Sequence, residues 1–367
     1  MIARYRKSVE PVYTDGRDID REVGSLMGEA AQQLSSGSSD PHIAEIARRW
    51  TQLPEPRAGD PTYYDRALLQ ESVWTWAIPT YYFIGGLSGA SMALGAALEL
   101  RRDPSVDELI QRCHLIGFIG TTVSGVLLIY DLGRPWRFLA MLRVFRPTSP
   151  MNMGAWVLSI TGGTAAAAVV LRRAPGFIRR IGETLGIISG ISGLALATYT
   201  GVLIANTAVP LWQAGRKVLP LLFGASAVAS VGSVLDLLCE NDEQRHITAI
   251  YGNVGRLGEL AASYAFERQV SVVPAVGRPL KRGLPGVMWR AASLLTASSV
   301  AVSVFSRQRT RTSQLTAGAL GALGSFLMRF AVEHAGNASA RDPRASFHQQ
   351  RAGLGAAEVT GKTPRVP

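Results

Sequence analysis

Cysteine is nearly absent from this protein: two residues, Cys113 and Cys239, in a length of 367. An iron–sulfur cluster normally takes four thiolates, so the protein cannot house one by itself, and no disulfide framework is available. Both cysteines fall at the ends of apolar blocks, where a small apolar filler is the expected role. Histidine is scarce as well, with His42, His114, His246, His334 and His348 making five. A membrane b-type haem takes two histidines on facing helices at one depth. Only His114 and His246 share a side, and both sit at span ends, so neither haem nor a metal site is expected. Charged residues make up 18% of the sequence, against about a quarter in ordinary soluble proteins. A secretory signal is not expected either. Residues 1–30 carry Arg4, Arg6, Lys7, Asp15, Asp18, Asp20 and Glu22 with no apolar run, which leaves insertion to the first hydrophobic helix.

What the sequence has is apolar blocks. Hydrophobic residues reach 47%, and they gather in runs of roughly 20 residues, the length a helix needs to cross about 30 Å of hydrocarbon. The spacing predicts spans near 77–100, 112–131, 153–171, 183–208, 217–239, 247–268, 286–306 and 313–335. The expected fold is therefore an all-α integral membrane protein of about eight transmembrane helices, arranged as two four-helix-bundle-like halves. This domain, over 73–336, lies between a polar N-terminal tail (1–72) and a polar C-terminal tail (337–367). Within the N-terminal tail, 20–33 and 42–51 read as short helices, Ser35–Ser39 as a flexible run, and Tyr63-Tyr64-Asp65-Arg66 as a stretch on the membrane surface. The sixth span is the weakest, because it carries Arg256, Glu259 and Glu267. Arg256 and Glu259 are one turn apart, a spacing that permits pairing inside a bundle. An amphipathic helix in the membrane interface is the alternative.

The net charge of +11 comes with arginines clustered between the apolar blocks, as in Arg101-Arg102, Arg172-Arg173 and Arg179-Arg180. Flanking cations of membrane helices sit there, so no nucleic-acid partner is expected and lipid is. Lysine and arginine divide evenly between the two sides. The tight double-arginine loops favour a cytoplasmic position for 101–112 and 172–180, which puts both termini outside. Glycines at four-residue spacing, Gly85 with Gly89 and then Gly182, Gly186 and Gly190, read as ordinary close helix packing.

The densest unusual stretch is Asp131-Leu132-Gly133-Arg134-Pro135-Trp136-Arg137-Phe138, followed by Arg146 to Trp156. A carboxylate ending an apolar span is costly unless paired, and Arg134 is three residues on. Two readings are open: an ion pair that fixes a loop, or a loop that also lines a cavity for a polar-headed lipophilic ligand. Helix alternation favours the second. It brings Trp74, Trp76 and Tyr81, then Tyr130 and Asp131, Asn152 and Trp156, Tyr199 and Asn206, and Arg329, Glu333 and His334 to one membrane face. Stacking surfaces, hydrogen-bond donors and a protonatable group at one interface suit a quinone ring, although aromatic belts alone are common to membrane proteins. Asp131, Glu333 and His334 are the proton-relay candidates.

The order and spacing of several motifs resemble those of the polysulfide reductase membrane-subunit (NrfD-like) family. They are Tyr63–Arg66, Val73–Leu87, Asp131–Phe138, Arg146–Trp156, Tyr199–Asn206 and Met328 to Pro343, covering roughly 61–345. The resemblance implies an eight-helix anchor in a bacterial cytoplasmic membrane that binds menaquinone or ubiquinone near one face. It implies electron exchange with a separate ferredoxin-like four-cluster iron–sulfur subunit, alongside a molybdopterin catalytic subunit. In the better-characterised branch of that family, histidine and asparagine near the start of the first helix and a tyrosine on the fourth contact the quinone. Here that stretch is Leu69-Gln70-Glu71-Ser72-Val73-Trp74, without histidine, so Glu71 or Gln70 is the substitute and Tyr199 the matching tyrosine. The resulting pocket set is Glu71, Trp74, Tyr81, Tyr130, Asp131, Arg134, Asn152, Tyr199 and Asn206. Two other classes stay open: a secondary transporter or proton-conducting subunit using Arg256–Glu259 and Asp236–Glu240, and a structural anchor whose quinone site is no longer functional.

Overall fold

The computed structural model describes residues 67–133, 135–238, 242–306 and 310–351. The short helices expected at 20–33 and 42–51, the Tyr63–Arg66 stretch, Arg134, Cys239 and Glu240 lie outside the described residues. The described residues form helices and connecting turns, with no strand among them.

In order along the sequence the helices are α1 (Ala77–Arg101), α2 (Asp107–Leu132), α3 (Pro135–Arg143), α4 (Pro150–Leu171), α5 (Phe177–Ala205) and α6 (Pro210–Ala214). They continue with α7 (Leu219–Leu238), α8 (Asp242–Val270), α9 (Pro274–Lys281), α10 (Gly283–Phe305), α11 (Arg311–Arg341) and α12 (Pro343–Arg351). Seven of the described helices are long and apolar enough to cross a bilayer, and the protein is a multi-pass membrane protein. The eighth long helix is α8, the weak sixth span of the sequence. Its 29 residues reach about 43 Å at 1.5 Å per residue, long enough to cross, but its charges keep it below the others in hydropathy. It runs antiparallel along α7, with Gly232 against Gly252, Gly255 against Ala229 and Gly258 against Ala225. Arg256 and Glu259 turn inward and are fully buried. Their partners differ from the expected pair. Arg256 Nη2 donates to Asp236 at 2.6 Å, and Glu259 accepts from Ser325 at 2.7 Å.

Contacts sort the long helices into two groups of four. In one, α1 packs on α2 and α5 while α4 packs on α2 and α5; in the other, α7 packs on α8 and α11 while α10 packs on α8 and α11. The halves join where α1 and α5 meet α7 and α11. Small residues permit the close crossings. A Cβ on Gly89 of α1 would lie 2.3 Å from the Gly193 carbonyl of α5.

Local signals set the helix ends. Ser149 caps α4 ahead of Pro150, its hydroxyl accepting from the Asn152 amide, and Thr310 caps α11 by accepting from the Ser313 amide. Gly133, at φ +65°, ends α2 in the left-handed conformation, where a side chain is disfavoured. In the turn between α1 and α2, Asp103 accepts from the Ser105 hydroxyl and amide, and these bonds hold its carboxyl below the usual carboxylate range.

Two segments differ from expectation. The polar loop after α2 contains a helix, α3, whose Trp136 and Leu139 are exposed beside the bundle end. The C-terminal tail does not begin at 337, because α11 continues to Arg341 and α12 follows. Polar residues there are buried: Ser339 accepts from the Leu211 amide at 3.2 Å, and Gln349 donates to Gln213.

Candidate functional site

The end of the bundle where α1 starts, α2 ends, α4 starts and α5 ends frames an open cleft. Trp74, Tyr81 and Tyr82 come from the α1 entry, Leu128 and Asp131 from α2, Phe138 and Met141 from α3, Met151 and Gly154 from α4, and Tyr199 and Leu203 from α5. The lining has the usual character of small-molecule sites: mostly apolar and aromatic, with a few polar groups.

Each polar group has a defined role. Asp131 Oδ1 accepts from the Thr75 amide at 3.1 Å and from its hydroxyl at 2.8 Å, tying the end of α2 to the entry of α1. Thr75 is thus its partner among the described residues. Tyr199 donates its hydroxyl to the Pro150 carbonyl at 2.6 Å, and its ring fills the space a side chain would need at Gly154. That ring stays where it is because Gly154 has no Cβ. Tyr82 is different. Its hydroxyl is buried and has no hydrogen-bond partner among the described residues. An unpaired buried hydroxyl costs about 1–3 kcal/mol, and the ring holding it is fixed by Tyr81, Phe223 and an edge contact with Trp74 at 6.2 Å. Trp74 itself stacks on Trp212 at 5.7 Å, and the Trp212 indole donates to the Val332 carbonyl.

Beside this wall lies a polar cluster. Glu333, 4% exposed, accepts from Ser72 at 3.3 Å and from Asn337 at 2.5 Å, and its other oxygen lies 3.3 Å from His334 Nδ1. Ser72 is two residues from Trp74, and Glu333 is near enough to Tyr82 to interact with it electrostatically. Glu71 forms a two-pronged pair with Arg341 at the rim.

The structure therefore brings Trp74, Tyr81, Asp131 and Tyr199 together and places Glu71, Tyr130, Asn152 and Asn206 elsewhere, while Arg134 lies outside the described residues. Asn152 holds the α3–α4 turn, accepting from the Arg146 amide and donating to the carbonyls of Met141 and Val144. Asn206 donates back to Val202 in its own helix. Tyr130 is exposed and lies against Trp76 at 6.0 Å. Arg329 sits deeper, 3.8 Å above the Phe223 ring and donating to that residue's carbonyl. Sequence reasoning missed Tyr82, Phe138, Met141, Met151 and Gly154. For Tyr82 the signal was its place beside Tyr81; for the others nothing in the sequence marks the facing direction.

The family model described as polysulphide reductase, NrfD matches residues 66–261, from the α1 entry through most of α8. The protein belongs to the NrfD family. Among similar proteins, the NrfD homologue of Haemophilus influenzae is 27% identical over 183 residues, 43% of this sequence and 56% of that protein. The NrfD protein of Escherichia coli is 26% identical over 199 residues, 47% of this sequence and 61% of its own length. The C chain of polysulfide reductase from Wolinella succinogenes is 26% identical over 177 residues, covering 43% and 55%. The match thus spans between 55% and 61% of the length of these NrfD-family relatives. The matched region contains every wall of the cleft, while the Glu333 cluster lies beyond it.

Proposed function

We propose that this protein is the membrane anchor and quinone-reactive subunit of an oxidoreductase complex in a bacterial cytoplasmic membrane. It exchanges electrons with a separate ferredoxin-like iron–sulfur subunit that is joined to a molybdopterin catalytic subunit. The observation that carries the reading is the aromatic cleft at one end of the bundle, with Tyr82 in its wall and the buried Tyr82 hydroxyl unpaired among the described residues. Family membership supports the same reading, as does the name of the Wolinella relative, which is part of a reductase.

A bound menaquinone or ubiquinone supplies two-electron, two-proton chemistry. The protein's own residues do the rest. The rings of Trp74, Tyr81 and Tyr199 offer flat faces against which a quinone head packs, and Leu128, Met141 and Leu203 exclude water around it. The Tyr82 hydroxyl donates to a carbonyl oxygen and gains the partner it lacks. Glu333, held by Ser72 and Asn337, accepts or returns the proton, while Asp131 keeps the α1 entry closed against α2. With two cysteines the protein cannot supply an iron–sulfur cluster, so electrons arrive or leave through a partner.

Purification of the complex from native membranes tests this. The expected outcome is an iron–sulfur subunit and a stoichiometric quinone in the extract of the purified complex. A homogeneous preparation with neither would sink the proposal and favour a plain anchor.

A further inference from the structure

Far from the cleft, the first half of the bundle has a second opening. The 25 residues of α1 put Arg102 roughly 37 Å from the cleft end. There the end of α1, the start of α2, the end of α4 and the start of α5 frame an open cavity of about 630 Å³. Its lining is rich in charge, with Glu99, Arg102, Asp107, Arg172, Arg179 and Arg180 all facing it.

Most of these charges serve the fold. Arg172 and Glu99, each with a side chain 6% exposed, pair at 2.7 Å, and Arg172 also reaches Asp107 at 3.6 Å. Arg179 lies between Asp107 at 3.1 Å and Glu183 at 3.0 Å. Asp103 is matched by Arg101, and the neighbouring Glu108 by Arg112. Every carboxylate that lines the cavity is thereby engaged. Arg102 and Arg180 line it too, and among the described residues neither side chain has a hydrogen bond or an ion pair. Two guanidinium groups are left facing the opening.

Arg102 is unusual in a second way. It caps the end of α1 at φ +54°, and among the described residues it is the one non-glycine with a positive φ. Glycine is the usual residue in that conformation, because a β-carbon there is strained. The local backbone thus favours glycine, and the guanidinium is what the arginine adds.

The surroundings indicate the chemistry of a ligand. The cavity sits where four apolar helices begin or end, at the depth of lipid headgroups. Leu100 and Ile187 stand in its wall beside the charges. From there the exposed Ile188, Ile191 and Leu194 follow along α5 at one-turn spacing. Guanidinium groups hold phosphate oxygens two at a time. A phosphate at the mouth of an apolar track is the chemistry of a phospholipid, and uncompensated arginine selects an anionic one.

We infer that this cavity binds one anionic phospholipid, its phosphodiester held by Arg102 and Arg180 and its acyl chains lying along α5. Arg172 and Arg179, fixed by Glu99, Asp107 and Glu183, shape the opening around it. The site is independent of what the aromatic cleft binds.

Native mass spectrometry of the full-length protein in detergent tests this, with phosphatidylglycerol and phosphatidylcholine of the same acyl chains added in turn. One phosphatidylglycerol should be retained per protein, about tenfold more tightly than phosphatidylcholine. Arg102→Gly combined with Arg180→Gln should lower that affinity about tenfold. The lipid-free unfolding midpoint of the double variant should be unchanged or raised, since glycine relieves the turn, and its quinone titration should match the wild type. If the double variant does not fold, Arg180→Gln alone should weaken retention about fivefold. Arg173 is exposed and outside the cavity, so Arg173→Gln should bind the lipid as the wild type does. Equal retention of the two lipids, undiminished retention in a folded double variant, or a loss in Arg173→Gln as large as in Arg180→Gln overturns the site. Displacement of the lipid by millimolar inorganic phosphate overturns it too, because it marks a pocket for a soluble anion.

Discussion

Tyr82, Tyr199 and Asn152 show how residues that look alike in a sequence part company in the structure. The Tyr199 hydroxyl is tied to Pro150 and the Asn152 amide to three backbone groups, whereas the Tyr82 hydroxyl has no partner among the described residues. Tyr82→Phe should therefore leave stability within about 1 kcal/mol of the wild type, or raise it, since an unsatisfied donor is removed. The same change should weaken quinone binding about tenfold, the worth of one hydrogen bond of about 1.4 kcal/mol. Thermal unfolding in detergent and a quinone titration check the two halves separately. Asn152→Ala should do the reverse. It strips bonds from the α3–α4 turn and should cost about 2–3 kcal/mol, read as a lowered unfolding midpoint. The depth of Trp74, Asp131 and Tyr199 was legible, because helix ends follow from where the apolar runs stop. Which way each side chain faces was not. Successive helix positions turn by about 100°, which is how Tyr130 and Asn206 share the depth of the cleft but not its wall.

Among the elements, helix number and order could be read from apolar runs alone, and the ends shifted where polar residues turned out to be buried. The α11 helix outruns its apolar run because Ser339 and Asn337 find partners on α6 and the α1 entry. The α3 helix left no mark in the sequence, because its nine residues are too short for a span. The α8 helix shows the opposite limit, since its charges lower its hydropathy yet point inward. Close crossings give a direct check on these elements. Gly89→Val should cost about 2–3 kcal/mol by forcing α1 away from α5 at Gly193. Gly163→Ala should be neutral or stabilise by about 0.5–1 kcal/mol, because no atom lies within 4 Å of its Cβ and alanine is the better helix former. Unfolding midpoints of the two variants, measured side by side, separate an interhelical glycine from a lipid-facing one.

At the scale of the molecule, the two halves divide the work. The first half, with α3, builds the cleft from helix ends, and the second half holds the buried charges Asp236, Arg256, Glu259, Arg329 and Glu333. The family was visible in the spacing of motifs, because a common fold keeps its turns in register. The burial of Asp236, Arg256, Glu259, Arg329 and Glu333 was visible only in part, since a lone charge in an apolar run says nothing about its neighbours across the bundle. A quinone bearing a photoreactive azide on its ring tests the central claim most directly. After illumination of the purified protein, the label is mapped by mass spectrometry with and without excess unlabelled quinone. Label is expected on peptides holding Trp74 to Tyr82, Met151 to Ala155 and Tyr199 to Leu203, displaced by the competitor. Label confined to lipid-facing or far-side peptides, or unaffected by competition, would contradict a quinone site in the cleft.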